Sequence, residues 1–155
     1  MKKFADYITL PNEAGIFFLL DTIFARTEVG NAVIQLNQKQ LQQGLDAQGK
    51  RIRTIKSMGT QVYTLYTIQI KQEKGQPTDR VTLYNTGEFY NTMQLKVVAN
   101  GYLITANFEK DDGDIRDNIS DEYEILGISD EKKDILIWNI IMPALEGVLR
   151  KQLSI

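Results

Sequence analysis

An Asn-Gly step between two β-prone runs constrains the fold of this chain more than any other feature. The runs cover residues 94–99 and 102–108, and Asn100 and Gly101 lie between them. A two-residue type I′ turn requires a positive φ at both positions, which Asn and Gly adopt at low cost. The sequence therefore predicts a β-hairpin over residues 94–108, with Asn100 and Gly101 at its turn and one face packed on helices.

Apolar residues repeat at helical spacing in the first third of the chain. This pattern predicts N-terminal helices over residues 12–43, the first capped by Asn12 and the second beginning near Thr27. Gly44 is expected to follow the end of the second helix, because glycine accepts the left-handed conformation common there. Between this region and the hairpin we expect a short helix within residues 62–73 and a strand over residues 80–84.

A long C-terminal helix is predicted over residues 130–153, with Ser129 or Asp130 as its cap. Its apolar face is broad, and Leu136, Ile137 and Ile140 widen it further, so burial within the monomer and burial against another chain are equally expected. Pro143 should kink or split the helix, since proline lacks the backbone N–H.

These elements predict an α+β fold. We expect helices packed on a small antiparallel sheet, with a central β-hairpin and a long C-terminal helix. The 155 residues contain no visible linker or repeat, so the sequence predicts a single domain over residues 1–155.

The composition excludes several classes of function. The chain contains no cysteine and no histidine, and its formal net charge is −2. Disulfide frameworks and thiolate chemistry are therefore absent, and the commonest general base and metal ligand are missing. The acidic balance argues against a dedicated nucleic-acid-binding protein. The apolar run at residues 16–20 is too short for a membrane span or a signal peptide, so we expect an unprocessed cytoplasmic protein.

An acidic segment is the one candidate for a metal site. Its carboxylates are Asp111, Asp112, Asp114 and Asp117. An EF-hand loop needs a glycine at its sixth position, and Gly113 does not fit that spacing. We interpret the segment as a solvated loop, and we expect neither a metal nor a cofactor.

A second group of candidates is a turn that follows the residue 80–84 segment. Thr86, Gly87 and Phe89 belong to the pattern leucine, one residue, Asn-Thr-Gly, one residue, aromatic. The glycine can adopt a positive φ, and Thr86 can cap the helical turn that follows. This pattern is typical of a folding corner.

Two other segments flank this corner in the sequence. Gly44, Asp46, Gly49 and Lys50 form the pattern Gly-x-Asp-x-x-Gly-Lys, and residues 126–131 read Leu-Gly-Ile-Ser-Asp-Glu. In this order the three motifs resemble those of the Mu-like phage virion-morphogenesis (tail-completion) proteins and of related siphophage minor tail or head–tail connector proteins. The resemblance spans about residues 41–153.

The resemblance implies a structural phage or prophage protein without catalytic chemistry. It implies self-association in a ring or similar assembly, and binding to neck, portal or tail-tube proteins. Such a protein would be found in the host cytoplasm during assembly and then in the virion. Residues 45–61 and 74–80 are expected to be loops that become ordered on contact with neighbours.

The basic cluster is the candidate for partner contact. It consists of Lys50, Arg51, Arg53 and Lys56. We favour a contact with a neighbouring subunit over a contact with DNA. Two alternative functions remain: a small carboxylate-dependent cytoplasmic hydrolase around residues 111–117, and an accessory nucleic-acid-binding protein using residues 50–56. The aromatic side chains fit either a core or an interface; they are Tyr63, Tyr66, Tyr84, Phe89, Tyr90 and Tyr102.

Overall fold

A computed structural model describes residues 22–24, 27–56, 62–98, 101–110 and 113–153. The predicted first helix lies almost entirely outside these ranges, and only residues 22–24 of it are described, as helix.

The α+β class is confirmed. Helices α1 (Thr27–Gln42), α2 (Leu65–Glu73) and α3 (Glu88–Asn91) precede the hairpin of β1 (Gln94–Val98) and β2 (Gly101–Thr105). A second, smaller hairpin joins β3 (Glu109–Lys110) to β4 (Gly113–Asp114), and a 3-10 turn (Ile115–Asn118) follows it. The C-terminal helix consists of α4 (Asp130–Leu136), a π-helical turn (Ile137–Ile141) and α5 (Met142–Leu153).

Helix α1 ends at the predicted position, just before Gly44. Gly44 has a φ of +77°, its N–H donates to the Leu41 carbonyl at 2.9 Å, and the Leu45 N–H donates to the Gln40 carbonyl at 3.1 Å. This pair of bonds is a Schellman motif, which satisfies carbonyls that the helix itself leaves unpaired.

The first hairpin is present, and its second strand begins one residue earlier than predicted. Val98 pairs with Gly101, so Gly101 belongs to β2, while Asn100 lies outside the described residues. The prediction of Gly101 as a turn residue is therefore wrong, because Gly101 is paired within β2. Leu95 pairs with Ile104, and Ile104 is buried against α1 with Val33, as expected for one helix-facing side.

Strand β2 ends at Thr105, although the prediction extended the hairpin to residue 108. The Asn107 N–H donates to Thr92 Oγ1 at 3.0 Å, and the Asn107 side chain accepts from the Glu109 N–H at 3.1 Å. Because side chains take these backbone donors, the ladder stops and the chain turns into β3.

The predicted strand over residues 80–84 is wrong, since residues 81–84 have no regular secondary structure. The Thr82 N–H donates to the Tyr63 hydroxyl at 3.1 Å, and the Thr82 carbonyl accepts from the Tyr90 hydroxyl at 2.6 Å. Leu83 has a φ of +52°, which no strand allows. Two buried tyrosines thus replace the partner strand that β-prone residues would otherwise need.

The C-terminal helix contains a π-helical turn close to its proline, and the predicted kink at Pro143 stays a prediction. The π-helical turn ends two residues before Pro143. Proline cannot donate the hydrogen bond to the carbonyl four residues earlier, so regular α-helical bonding is interrupted in this part of the helix. Ser129 is the N-cap residue, although its side chain makes no capping hydrogen bond.

Buried apolar side chains form three clusters. The largest surrounds Phe89 and also contains Leu41, Ile52, Tyr63, Val81, Tyr90, Met93, Ile115, Ile119 and Ile125. The other two lie along α1 and the C-terminal helix, around Val29 and Val148 and around Val33 and Leu136.

Candidate interaction site

Two buried amides on α1 hold the motif at residues 126–131. Asn37 and Gln40 are both fully buried. The Asn37 Nδ2 donates to the Gly127 carbonyl at 2.8 Å, and Gln40 Nε2 donates to the same carbonyl at 3.2 Å. The Ser129 N–H in turn donates to Gln40 Oε1 at 2.8 Å. Buried amides that bond in this way fix the approach of one segment to the helix.

The first motif packs against the same segment. Asp46 is fully buried, and its Oδ1 accepts from the backbone N–H groups of Gln48 at 3.0 Å and Lys50 at 2.7 Å. The Ala47 N–H donates to the Glu124 carbonyl at 2.7 Å. The acidic residue of this motif therefore closes its own turn, as Asx turns do.

The corner motif contributes to the largest cluster. Gly87 has a φ of +90° and is the N-cap of α3, while Thr86 Oγ1 accepts from the Glu88 N–H at 3.4 Å. Phe89 is 1% exposed, and its ring centroid lies 5.1 Å from that of Phe108. All three motifs thus place their distinctive residues in turns or in the core.

We expect Gly87→Val to lower the free energy of unfolding by roughly 1–3 kcal/mol, because valine is strained at a positive φ. A Cβ at this position would also lie 3.1 Å from the Tyr84 hydroxyl. Urea denaturation followed by circular dichroism measures the effect. An unchanged midpoint would show that the corner tolerates side chains.

The four basic candidates do not form one patch. Lys50 forms a salt bridge with Glu122 at 2.7 Å, and this bond lowers the pKa of Glu122. The Arg51 guanidinium instead donates to the Asp79 carbonyl at 2.7 Å. Arg53 is exposed, and Lys56 lines the pocket described below. Neighbouring residues here face different segments, so the charges are dispersed.

The expectation of a loop that awaits a partner is wrong for residues 45–56. Ile52 is fully buried in the largest cluster, and its N–H donates to the Gly44 carbonyl at 2.9 Å. Thr54 forms a β-bridge with Ile119. Residues 57–61 lie outside the described part of the chain.

One of the four carboxylates considered for a metal site, Asp114, is paired with an arginine. Both Asp114 carboxylate oxygens accept from Arg116 Nε at 3.0 Å, and this pairing lowers the pKa of Asp114. Asp117 is exposed, while Asp111 and Asp112 lie outside the described residues. Within the described ranges, no group of three or more potential ligands could hold a metal ion.

We therefore expect calorimetric titration with Ca²⁺, Mg²⁺, Mn²⁺ and Zn²⁺ to show no binding tighter than about 10⁻³ M, the range of weak calcium sites. A stoichiometric micromolar signal that Asp112→Ala and Asp114→Ala abolish would contradict this expectation.

One pocket lined by lysines was not predicted from the sequence. A pocket of about 440 Å³ lies between α2, residues 81–85 and residues 113–119. Three of its lining residues are lysines: Lys56, Lys71 and Lys110. Lys71 is only 7% exposed.

Lys71 is held by neutral groups. Its Nζ donates to the Tyr84 carbonyl at 2.9 Å and to Gln76 Oε1 at 3.1 Å, and it lies 5.1 Å from the centroid of the Tyr63 ring. Burial lowers the pKa of Lys71, and the charges of Lys74 and Lys110 lower it further.

Large apolar side chains lie exposed around this pocket. Tyr66 is 74% exposed and Tyr84 is 38% exposed, and both line it. Ile55 and Leu65, which adjoin lining residues in the sequence, are 60% and 73% exposed. We call these four side chains together with the pocket the lysine-pocket surface.

A second exposed apolar group lies on the C-terminal helix. Trp138 is 66% exposed, and Ile137 and Met142 are also exposed. We call these three side chains the Trp138 surface. The opposite side of the helix is buried through Leu136 and Val148. The broad apolar face predicted from the sequence is thus divided between the core and the solvent.

Sequence reasoning missed Lys71 and Asn37 for the same reason. Each is a polar residue on the buried side of a helix: Lys71 lies three residues after the half-buried Ile68, and Asn37 lies four residues after the buried Val33. The helical spacing indicates that both side chains lie on a buried face, but it does not show which groups their polar atoms bind.

No protein-family model, curated protein or solved structure matches this chain. Among the helices of the described residues, none has the length and apolar character needed to cross a membrane.

Proposed function

We propose that this protein is a structural component of a phage or prophage virion, acting in tail completion, at the neck or as a minor tail protein. It works by assembling with copies of itself and with neck, portal or tail-tube proteins, and it catalyses no reaction. It occupies the host cytoplasm during assembly and then the virion. The family resemblance of the three motifs supports this class.

One observation carries the proposal: large apolar side chains are exposed on two different parts of the fold. Tyr66 belongs to α2, whereas Trp138 belongs to the C-terminal helix. Aromatic residues and methionine are enriched at protein interfaces, and groups of exposed apolar residues mark such sites. Two distinct surfaces are also what a ring requires, because a heterologous contact joins one patch to a different patch.

The two alternative functions find less support. A carboxylate-dependent hydrolase would need accessible acid–base groups, yet Asp114 is paired with Arg116. A nucleic-acid-binding protein using residues 50–56 would need a contiguous basic face, yet Lys50 and Arg51 contact different segments of the chain.

The test is to mix the protein with portal, neck and tail-tube proteins encoded beside its gene and to measure complex mass by light scattering. We expect a complex that Trp138→Ala or Tyr66→Ala weakens at least about tenfold, since exposed aromatics dominate interface energies. The matched controls are Lys151→Ala on α5 and Gln72→Ala on α2, both exposed positions. These should bind as the unmodified protein does.

Substitution of the whole basic cluster would be a poor test. Replacing Lys50 removes its bond to Glu122, and replacing Arg51 removes its bond to the Asp79 carbonyl. A loss of binding could then follow from a local change of fold. If no protein from the gene cluster binds the unmodified chain, the proposed function fails.

A further inference from the structure

Lys71 is a buried cation for which the described residues provide no carboxylate. Its two hydrogen bonds go to a backbone carbonyl and to an amide oxygen, and the Tyr63 ring lies beside it. An ammonium group can donate three hydrogen bonds, so the described contacts use two of its donors. Burying an unpaired charge is costly, and the cost falls when an anion binds.

Lysines outnumber carboxylates among the described residues that line the pocket of Lys71, although the whole chain is acidic. Lys56 and Lys110 line the same pocket. Asp114 carries the only carboxylate among the described lining residues, and both of its oxygens accept from Arg116. The pocket therefore favours a negatively charged group. Because the pocket is partly shielded from solvent, the attraction between such a group and the lysines is stronger there than in open water.

The rim of the pocket is apolar, so a ligand that covers it must also carry apolar groups. Tyr66 and Tyr84 line the pocket with their rings partly exposed, and Leu65 lies beside Tyr66. A volume of about 440 Å³ is of the size that accepts a few side chains. A small inorganic anion would leave the apolar rim uncovered, whereas a peptide can cover it.

We infer that the lysine-pocket surface binds an acidic segment of a partner protein, with a side-chain carboxylate bound by Lys71 and a neighbouring aromatic or aliphatic side chain packed on Tyr66. This inference rests on the proposed function only in that the protein acts through partners. It adds the chemistry of the partner segment and the group that recognises it.

The test uses fluorescence anisotropy with a short, dye-labelled, end-blocked peptide of alternating glutamate and phenylalanine. The matched probe replaces each glutamate with glutamine. We expect the acidic probe to bind at least about tenfold more tightly than the amide probe, and to weaken as salt is raised. Lys71→Met should reduce the affinity for the acidic probe at least about tenfold, while Lys39→Met, at an exposed lysine of α1, should not.

Circular dichroism shows whether Lys71→Met retains the fold. If it does not, the double variant Lys56→Ser/Lys110→Ser replaces it, and this variant should weaken the acidic probe and reduce the salt dependence. Equal binding of the two peptides would overturn the inference, as would unchanged binding by the lysine variants. Succinate or a single-stranded oligonucleotide that binds as tightly as the acidic probe would overturn it too.

The two proposals can fail separately. If a virion partner binds the unmodified protein and the lysine-pocket variants equally, the inference fails and the proposed function stands. If the acidic probe binds through Lys71 but no virion protein forms a complex, the site stands and the proposed function fails.

Discussion

Phe89→Ala is expected to lower the free energy of unfolding by about 3–5 kcal/mol, the range for deleting a buried phenylalanine. Phe89 is 1% exposed at the centre of the largest cluster. Its ring meets Phe108 at 5.1 Å and Tyr90 at 6.0 Å between centroids. The cavity left by alanine would also release Tyr90, whose hydroxyl holds the Thr82 carbonyl.

Urea denaturation followed by circular dichroism measures this loss. Tyr66→Ala is the matched control, since Tyr66 is an aromatic residue that is 74% exposed, and its effect should stay within about 0.5 kcal/mol. Similar effects for the two variants would contradict the assignment of Phe89 to the core.

The second large effect is expected at Gly127. Gly127→Ala should lower the free energy of unfolding by about 2–4 kcal/mol, through backbone strain and overpacking together. Its φ is +143°, and an added Cβ would lie 2.8 Å from the Ala47 Cβ. Ala47 cannot easily move away, because its N–H is bound to the Glu124 carbonyl. Any shift of Gly127 would also strain its bonds to Asn37 and Gln40.

Gly147→Ala is the control for this experiment. Gly147 lies in helix α5, and among the described residues outside the adjacent helix backbone an added Cβ there would meet no atom within 4 Å. Alanine is favoured over glycine inside a helix, so the variant should gain about 0.5–1 kcal/mol. If both substitutions raised the free energy of unfolding, residues 127 and 47 would have to lie farther apart than the structure indicates.

The motifs behind the family resemblance serve the fold. Asp46 closes its own turn, Phe89 fills the core and the Gly127 carbonyl binds the buried amides of α1. The exposed surfaces are built by other residues, such as Tyr66 and Trp138. The three motifs are therefore structural in this fold, and the surfaces that we propose for partner binding lie outside them.

Local patterns in the sequence determined most of the regular structure. The 3.6-residue period marks α1 and the C-terminal helix, and the left-handed Gly44 ends α1 where expected. Alternation along the hairpin predicts one helix-facing side, and the structure shows that Ile104 lies on it. These features depend on residues close in sequence, so the sequence alone reports them.

Tertiary contacts decided what local patterns could not. Residues 80–84 are β-prone, yet the hydroxyls of Tyr63 and Tyr90 bind the Thr82 backbone and no strand forms. The basic cluster is contiguous in sequence, yet Lys50 and Arg51 contact residues far along the chain. The pocket around Lys71 forms only where residues 81–85 and 113–119 pack beside α2. Each outcome depends on groups remote in sequence, whose meeting is fixed by how the whole chain packs.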